Sequence, residues 1–258
     1  MKHSKAILAT VFIFLTSILV AQQTKSLKEK STQQASMSIT VSGSFKMQDF
    51  GVINDYMKVI SDSFNLSAPL YFGDNFNSYG IGLGFKNPVV ETEISVDYMQ
   101  LTTNQSNTTG TEATLRNSAF TYGLGFNFYP AKFFFAGTTL SVSNHKLKST
   151  INVGSSDIEK ANRLLTNPED NPFAGFSFNL RLQAGLFIPF TRRELGAGLR
   201  IVPFYDISSK YDFTKKIDGI VLQSYSGSTK MPGSGFGIKA SLVIMLKQYD
   251  EGGKKIQK

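Results

Sequence analysis

The sequence predicts an all-β protein, an eight-stranded antiparallel up-and-down transmembrane β-barrel with short helices in its extracellular loops. Three observations predict it: an export signal at the start, eight segments that alternate apolar with polar or tiny side chains, and connections that are by turns short and long. Alternation at period two marks a strand whose faces meet different media, because successive side chains point to opposite sides of a sheet. A soluble sandwich would turn the apolar face to its core, whereas a transmembrane barrel turns it to lipid and fills the lumen with polar or tiny residues. The local pattern fits both; compartment, strand length and connection spacing separate them.

Residues 1–21 begin with Lys2 and Lys5, run through apolar Ala6 to Val20 and reach the small Ala21, which reads as a cleavable secretory signal. Its apolar run is short of the roughly 20 residues a spanning helix needs. A polar periplasmic segment, 22–34, follows; the barrel is expected over 35–247, and a polar periplasmic tail over 248–258. With no cysteine, the chain has no disulfide framework and no thiolate metal site. The formal charge of +8 falls to +6 without Lys2 and Lys5, and much of the excess lies in the two tails. An exported chain with that distribution is not read as binding nucleic acid.

Met37, Ile39, Val41 and Phe45 share a face in the first segment, Tyr79, Ile81, Leu83 and Phe85 in the second, and Val90, Ile94, Val96 and Tyr98 in the third. The fourth sets Phe120, Tyr122, Leu124, Phe126 and Phe128 against Ala119, Thr121, Gly123, Gly125 and Asn127. The fifth, Phe133 to Leu147, is the weakest, with Ala136, Thr138, Leu140 and Val142 on one face. The sixth sets Phe176, Phe178, Leu180, Leu182, Ala184, Leu186 and Ile188 against Ser177, Asn179, Arg181, Gln183 and Gly185. The seventh presents Leu195, Ala197, Leu199, Ile201 and Tyr205; the eighth, Phe236, Ile238, Ala240, Leu242, Ile244 and Leu246. Most exceed the mean soluble strand of about 5 to 6 residues and suit the roughly 9 to 11 that cross a bilayer with tilt.

The connections Lys86 to Pro88, Tyr129 to Lys132 and Thr191 to Glu194 are short, while Lys46 to Asn77, Thr102 to Leu115, Lys148 to Pro172 and Ile207 to Gly233 are long. Tight turns at one end and long loops at the other are the plan of an outer-membrane barrel, with turns and both termini in the periplasm. Pro203 opposes the scheme, since it cannot donate a ladder bond; a bulge near the outer rim would absorb it. In the first loop, Phe50, Ile53, Met57, Ile60 and Phe64 form an apolar helical stripe behind a cap at Asp49, expected to pack over the barrel mouth or rim, with contact to a partner or ligand as the alternative. In the third, Ser156 and Glu159 form a capping box before Ile158, Ala161, Leu164 and Leu165.

With this signal, this pairing of connections, and aromatics near strand ends such as Tyr79, Tyr98, Phe128 and Tyr129, the chain resembles the small eight-stranded outer-membrane barrels of Gram-negative bacteria. These are the OmpA-, OmpX- and OmpW-like group, and the resemblance covers roughly Ser36 to Leu246. The "VAQQ" junction also resembles the outer-membrane β-barrel families of Bacteroidota. Such barrels often end on an aromatic of the last strand, whereas this chain runs past Lys247 to Lys258. The resemblance implies the cell outer membrane, contact with its lipid and lipopolysaccharide, and a protein partner at the extracellular loops.

Chemistry is sought in the lumen. Glu91, Glu93 and Asp97 share the inward face with Arg181, Arg200 and Lys239, and unpaired charge in a packed interior is costly, so a lumen charge network is expected. Counting from the turns puts Glu93 and Arg200 low, with Asp97, Arg181 and Lys239 higher. "GIGLG", Gly80 to Gly84, lies inside an alternating strand and opens no helix, so it is not a phosphate cradle. Ser143 and His145 stand two apart on one strand, roughly 7 Å by strand rise, with no acid to orient the histidine. No catalytic residue, metal site or cofactor is expected. An eight-stranded interior is filled by side chains, so the expected role is a non-enzymatic interaction, adhesion or envelope-stabilising surface. The alternatives are an OmpW-like conduit for small apolar solutes and a subunit of a secretion or envelope machine.

Overall fold

The computed structural model describes residues 35–86, 89–131, 133–152, 154–155, 173–190, 197–212, 230–231 and 233–249. The signal, the segment 22–34, most of the C-terminal tail, the Ser156–Leu165 helical stretch and the turn at Thr191 to Glu194 with Leu195 lie outside them.

Eight long strands close the barrel: β1 (Ala35–Met47), β2 (Asn75–Lys86), β3 (Val90–Ser106), β4 (Glu112–Ala131), β5 (Phe134–Asn152), β6 (Phe173–Pro189), β7 (Ala197–Ser208) and β10 (Gly235–Tyr249). Sequence neighbours pair antiparallel all the way round, and β1 meets β10 to close the ring. A two-stranded ribbon, β8 (Tyr211–Asp212) with β9 (Lys230–Met231), lies between β7 and β10. The helix α1 (Gly51–Ser63) follows β1.

Burial is inverted relative to a soluble domain. The large exposed side chains are apolar, with Ile81 at 64% and Phe178 at 68%, while Glu91, Arg200, Asp206 and a series of serines are buried. Such an exterior is stable only against hydrocarbon. On β6 the outward apolar face runs from Phe176 to Ile188. At about 3.3 Å per residue and about 40° of tilt it rises roughly 30 Å, the thickness of a bilayer core. The chain is a small eight-stranded transmembrane barrel of the outer-membrane type.

Several boundaries differ from the sequence reading, each for a physical reason. Thr102 to Leu115, expected as a long loop, is mostly strand: β3 and β4 pair without a break to Ser106 and Glu112, leaving a turn of Asn107 to Thr111. Threonine and asparagine replace the apolar outward residues there because the hairpin has left the lipid, so the alternation fades while the ladder continues. Lys46, Asn75 and Asn77, read as loop, are in β1 and β2, and Ile207 and Ser208, also read as loop, are in β7. The last strand reaches Tyr249, beyond the expected end at 247. Pro203 makes no bulge: the register of β6 with β7 is unchanged on both sides, and the ladder merely lapses opposite Ala184 and Gly185.

Candidate functional site

The stretch "SYGIGLGFKNPVVETEISVDYM" builds the lumen wall. Gly80 and Gly84 on β2 pair with Asp97 and Glu93 on β3, and Gly82 pairs with Ser95 between them. A Cβ on Gly80 would stand 1.8 Å from Asp97 Oδ1, and one on Gly82 2.8 Å from Glu93 Oε1. The glycines of β2 thus leave the space that the carboxylates of β3 occupy.

The periplasmic half of the lumen is closed by charge. Arg200 of β7 donates from Nη1 to Glu93 Oε2 at 2.7 Å and from Nη2 to both oxygens of Glu91, at 2.7 and 2.8 Å. Glu91 is 1% exposed and Arg200 4%. The Tyr129 hydroxyl donates to Glu91 Oε2 at 2.6 Å, and Gln183 Nε2 to Asn127 Oδ1 at 2.6 Å. Aromatic rings seal the same level: Tyr129 and Phe135 lie 5.4 Å apart, and the Lys86 ammonium sits 3.5 Å above the Tyr129 ring. Phe135 and Phe187 fit because Gly185 and Gly198 stand beneath them. Ion pairs buried this deeply persist only when each charge is also hydrogen-bonded, as here.

Higher up, Lys239 Nζ approaches Asp97 Oδ1 at 3.4 Å. Arg181 does not join Asp97: its guanidinium binds Asp206 at 2.8 and 3.1 Å and stacks 3.9 Å from the Phe204 ring, and Lys46 adds a third contact to Asp206 at 3.1 Å. A hydroxyl and amide layer surrounds them. Thr121 and Ser143 lie 2.8 Å apart, and Asn179 donates to Ser143 at 2.8 Å. His145 faces Ser177 of the next strand at 3.0 Å, away from Ser143. Among the described residues the lumen holds a cavity of about 20 Å³ beside Arg200 and one of about 50 Å³ beside Asp206, each of a size for one or a few waters. Among the described residues no group of three or more metal-ligating side chains is gathered.

The outer mouth is closed by α1. Asp49 Oδ1 accepts from the Gly51 amide at 2.7 Å and starts the helix. Phe50, Ile53, Met57 and Phe64 are fully buried against Phe72, Phe76, Met99, Leu115, Leu147 and Met231; the side chain of Ile60 lies outside the described residues. Asn54 exchanges two hydrogen bonds with the backbone of Phe72, at 2.9 and 3.0 Å. Burial pushes the Tyr56 hydroxyl up to about 12, so the plug carries a neutral phenol.

Beyond the mouth, β3, β4 and β5 project as a three-stranded sheet whose inner face is this plug. Asn107 fixes its tip: Oδ1 accepts from the amides of Thr109 and Thr111, and Nδ2 donates to Phe64 O at 2.8 Å. Pairing between β2 and β3 stops at Ser78 with Met99, so among the described residues β3 from Gln100 onward has no strand on its β2 side. Ser67 covers the end of this edge: its amide bonds Ser106 O at 3.0 Å and its hydroxyl donates to Gln105 Oε1 at 3.3 Å.

Of the residues picked from sequence, the structure gathers Glu91, Glu93 and Arg200, pairs Asp97 with Lys239, and sends Arg181 elsewhere. Asp206, Lys46 and Lys86 were missed, and Tyr129, read as a belt aromatic, faces the lumen. Their signal was parity: Asp206 continues the inward positions Arg200, Val202 and Phe204, and Lys46 those of Ser42 and Ser44.

No protein-family model and no curated protein matches the chain. Among solved structures it is similar to Ail, the attachment invasion locus protein of Yersinia pestis, in complex with the heparin analogue sucrose octasulfate. That likeness has a TM-score of 0.40 and 10% identity, covering 83% of this chain and 100% of that one. Ail without the analogue gives 0.39 at the same identity and coverage. Neisserial surface protein A gives 0.36 and 8%, covering 81% and 97%.

Proposed function

We propose that this barrel is a non-enzymatic outer-membrane interaction surface, and that it works through the sheet projecting above its mouth. The observation that carries this reading is the edge of β3 from Gln100 to Gln105, which stands clear of β2 on a sheet braced from within by α1. An exposed strand edge offers its unpaired backbone groups to an incoming strand, and natural proteins usually blunt such edges. Here the outward residues Gln100, Thr102 and Asn104 are polar and exposed, without the charges or proline that would repel a partner. Adhesion through an extended segment of another protein is the activity this geometry supports.

The conduit reading needs a path through the wall or along the axis. Among the described residues the axis is closed by the Arg200 cluster below and α1 above, with water-sized cavities between.

The native chain lacks cysteine, so single cysteines are clean probes. With cysteine at Thr102, Asn104 or Thr108 in turn, an impermeant maleimide should label intact cells, and a cysteine at Phe190 should stay unlabelled. A photo-crosslinker at Thr102 or Asn104 should capture a defined protein adduct that one at Asp55, on the exposed face of α1, does not. Equal capture from both places would reject the edge as the interaction site.

A further inference from the structure

The charges inside the barrel do not balance. Among the described residues Lys46, Lys86, Arg181, Arg200 and Lys239 face the lumen against Glu91, Glu93, Asp97 and Asp206, which leaves one positive charge over. His145 is counted as neutral, and protonating it would only enlarge the excess. The pairings locate the excess in the upper half. Below, Arg200 and Lys86 stand among Glu91, Glu93 and Tyr129. Above, Lys239 is set against Asp97, but Arg181 and Lys46 share Asp206 alone. A buried charge without a counter-charge is costly, so a closed lumen of this composition favours an added anion.

The cavity of about 20 Å³ lies beside that excess. Arg181, Arg200 and Lys239 line it against a single carboxylate, Glu93, whose Oε2 is already held by Arg200. Arg181 gives Nε and Nη2 to Asp206 and has no hydrogen-bond partner for Nη1 among the described residues, and Lys239 Nζ has only its 3.4 Å contact to Asp97. The hydroxyls of Ser95 and Ser241, both buried, line the same cavity and are likewise without a partner among the described residues. Two cations and two hydroxyls with donors to spare thus border one small space. A water molecule there satisfies some of these donors but leaves the charge uncompensated, whereas a halide accepts from all of them and cancels it. Chloride is only slightly larger than water and suits a space of this size; sulfate and gluconate are too large.

We propose that the lumen encloses one small monovalent anion, of the size of chloride, held by Arg181 and Lys239 with the hydroxyls of Ser95 and Ser241. It is a structural counter-ion of the folded barrel and not a permeating ion, because the Arg200 cluster below and α1 above close both ways out. It offsets the repulsion among Arg181, Arg200 and Lys239 and ties the stability of the barrel to the anion in which the chain folds. The site is distinct from the β3 edge, and either reading can fail without the other.

The full barrel in detergent micelles is unfolded and refolded in urea at constant ionic strength while sodium chloride replaces sodium gluconate, whose anion exceeds the cavity. Each tenfold rise in chloride above its dissociation constant should lower the unfolding constant about tenfold, the linkage of one bound ion. Bromide should act in the same way. Arg181→Met leaves Asp206 to Lys46 and balances the lumen, so the chloride dependence should vanish. Asp97→Asn adds a second uncompensated positive charge, so chloride should act at roughly tenfold lower concentration. Lys58→Gln, on the exposed face of α1, should respond to chloride as the parent does. Crystals of barrel refolded in bromide should show one anomalous peak in contact with Arg181 and Lys239. The proposal is overturned if the parent is equally stable in chloride and gluconate, if Arg181→Met keeps the parent's dependence, if Asp97→Asn does not strengthen it, if Lys58→Gln loses it, or if bromide lies elsewhere.

Discussion

The two ends of this lumen are closed by opposite chemistry. Below, the closure is ionic and comes from the strands themselves: Arg200 clamps Glu91 and Glu93 across the barrel, with Tyr129 completing the coordination of Glu91. Above, it is apolar and comes from a loop: α1 lays Phe50, Ile53, Met57 and Phe64 on a rim of Phe76, Met99 and Leu115. A strand cannot leave the ring without opening the barrel, so the lower closure is tied to the fold as a whole. A helix held by one apolar face and a few hydrogen bonds can in principle detach alone. The lower closure therefore contributes to global stability and the upper one to the shape of the outer surface.

The contrast can be broken most forcefully at Arg200. Arg200→Met leaves Glu91 and Glu93 buried without their partner and should lower barrel stability by about 3 to 5 kcal/mol in urea unfolding. Adding Glu93→Gln should recover part of that loss; a double variant no better than the single one would show that the two groups are not coupled. Met57→Ala should cost about 2 to 4 kcal/mol, but only locally. The expected result is faster proteolysis within Gly51–Ser63 with the unfolding midpoint of the barrel unmoved; a midpoint that falls with it would mean that both closures belong to one cooperative unit. Tyr129→Phe removes one donor from Glu91 and should cost roughly 1 to 2 kcal/mol in the same unfolding measurement. Leu124→Val, on the lipid face, should change the midpoint by less than about 0.5 kcal/mol, because hydrocarbon refills the space and no cavity forms.

The fold was legible because lipid imposes one rule along every spanning strand. Ile81, Leu83, Leu124 and Phe178 announce the exterior by composition alone, and the short turns fix the polarity of the barrel. Above the bilayer that rule ends, so Thr102 to Leu115 lost its alternation and read as a loop although its backbone pairing continues. The charged lumen positions were legible by parity, but their partners were not. Pairing across a barrel depends on strand tilt and on the reach of each side chain, and Arg181 turns along the wall to Asp206 on the adjoining β7 instead of crossing to Asp97. Lys46 was hidden for a simpler reason, since its strand was ended too early; Asp206 lay before the expected loop at Ile207, but parity was not carried to it. The fit of Gly80 and Gly82 to Asp97 and Glu93 needed the register of β2 with β3, which single-sequence alternation does not contain.

The central claim is that the lumen is closed, so that function lies on the outer surface, and ion conductance tests it most directly. The purified parent barrel in a planar lipid bilayer should show no steady conductance in molar salt at either polarity. The Met57→Ala variant should remain silent as well, because the Arg200 cluster still seals the periplasmic half. A steady, voltage-independent current through the parent, altered in ion selectivity by Arg200→Glu, would contradict the account, since it would mean that ions pass where Glu91, Glu93 and Arg200 are held together.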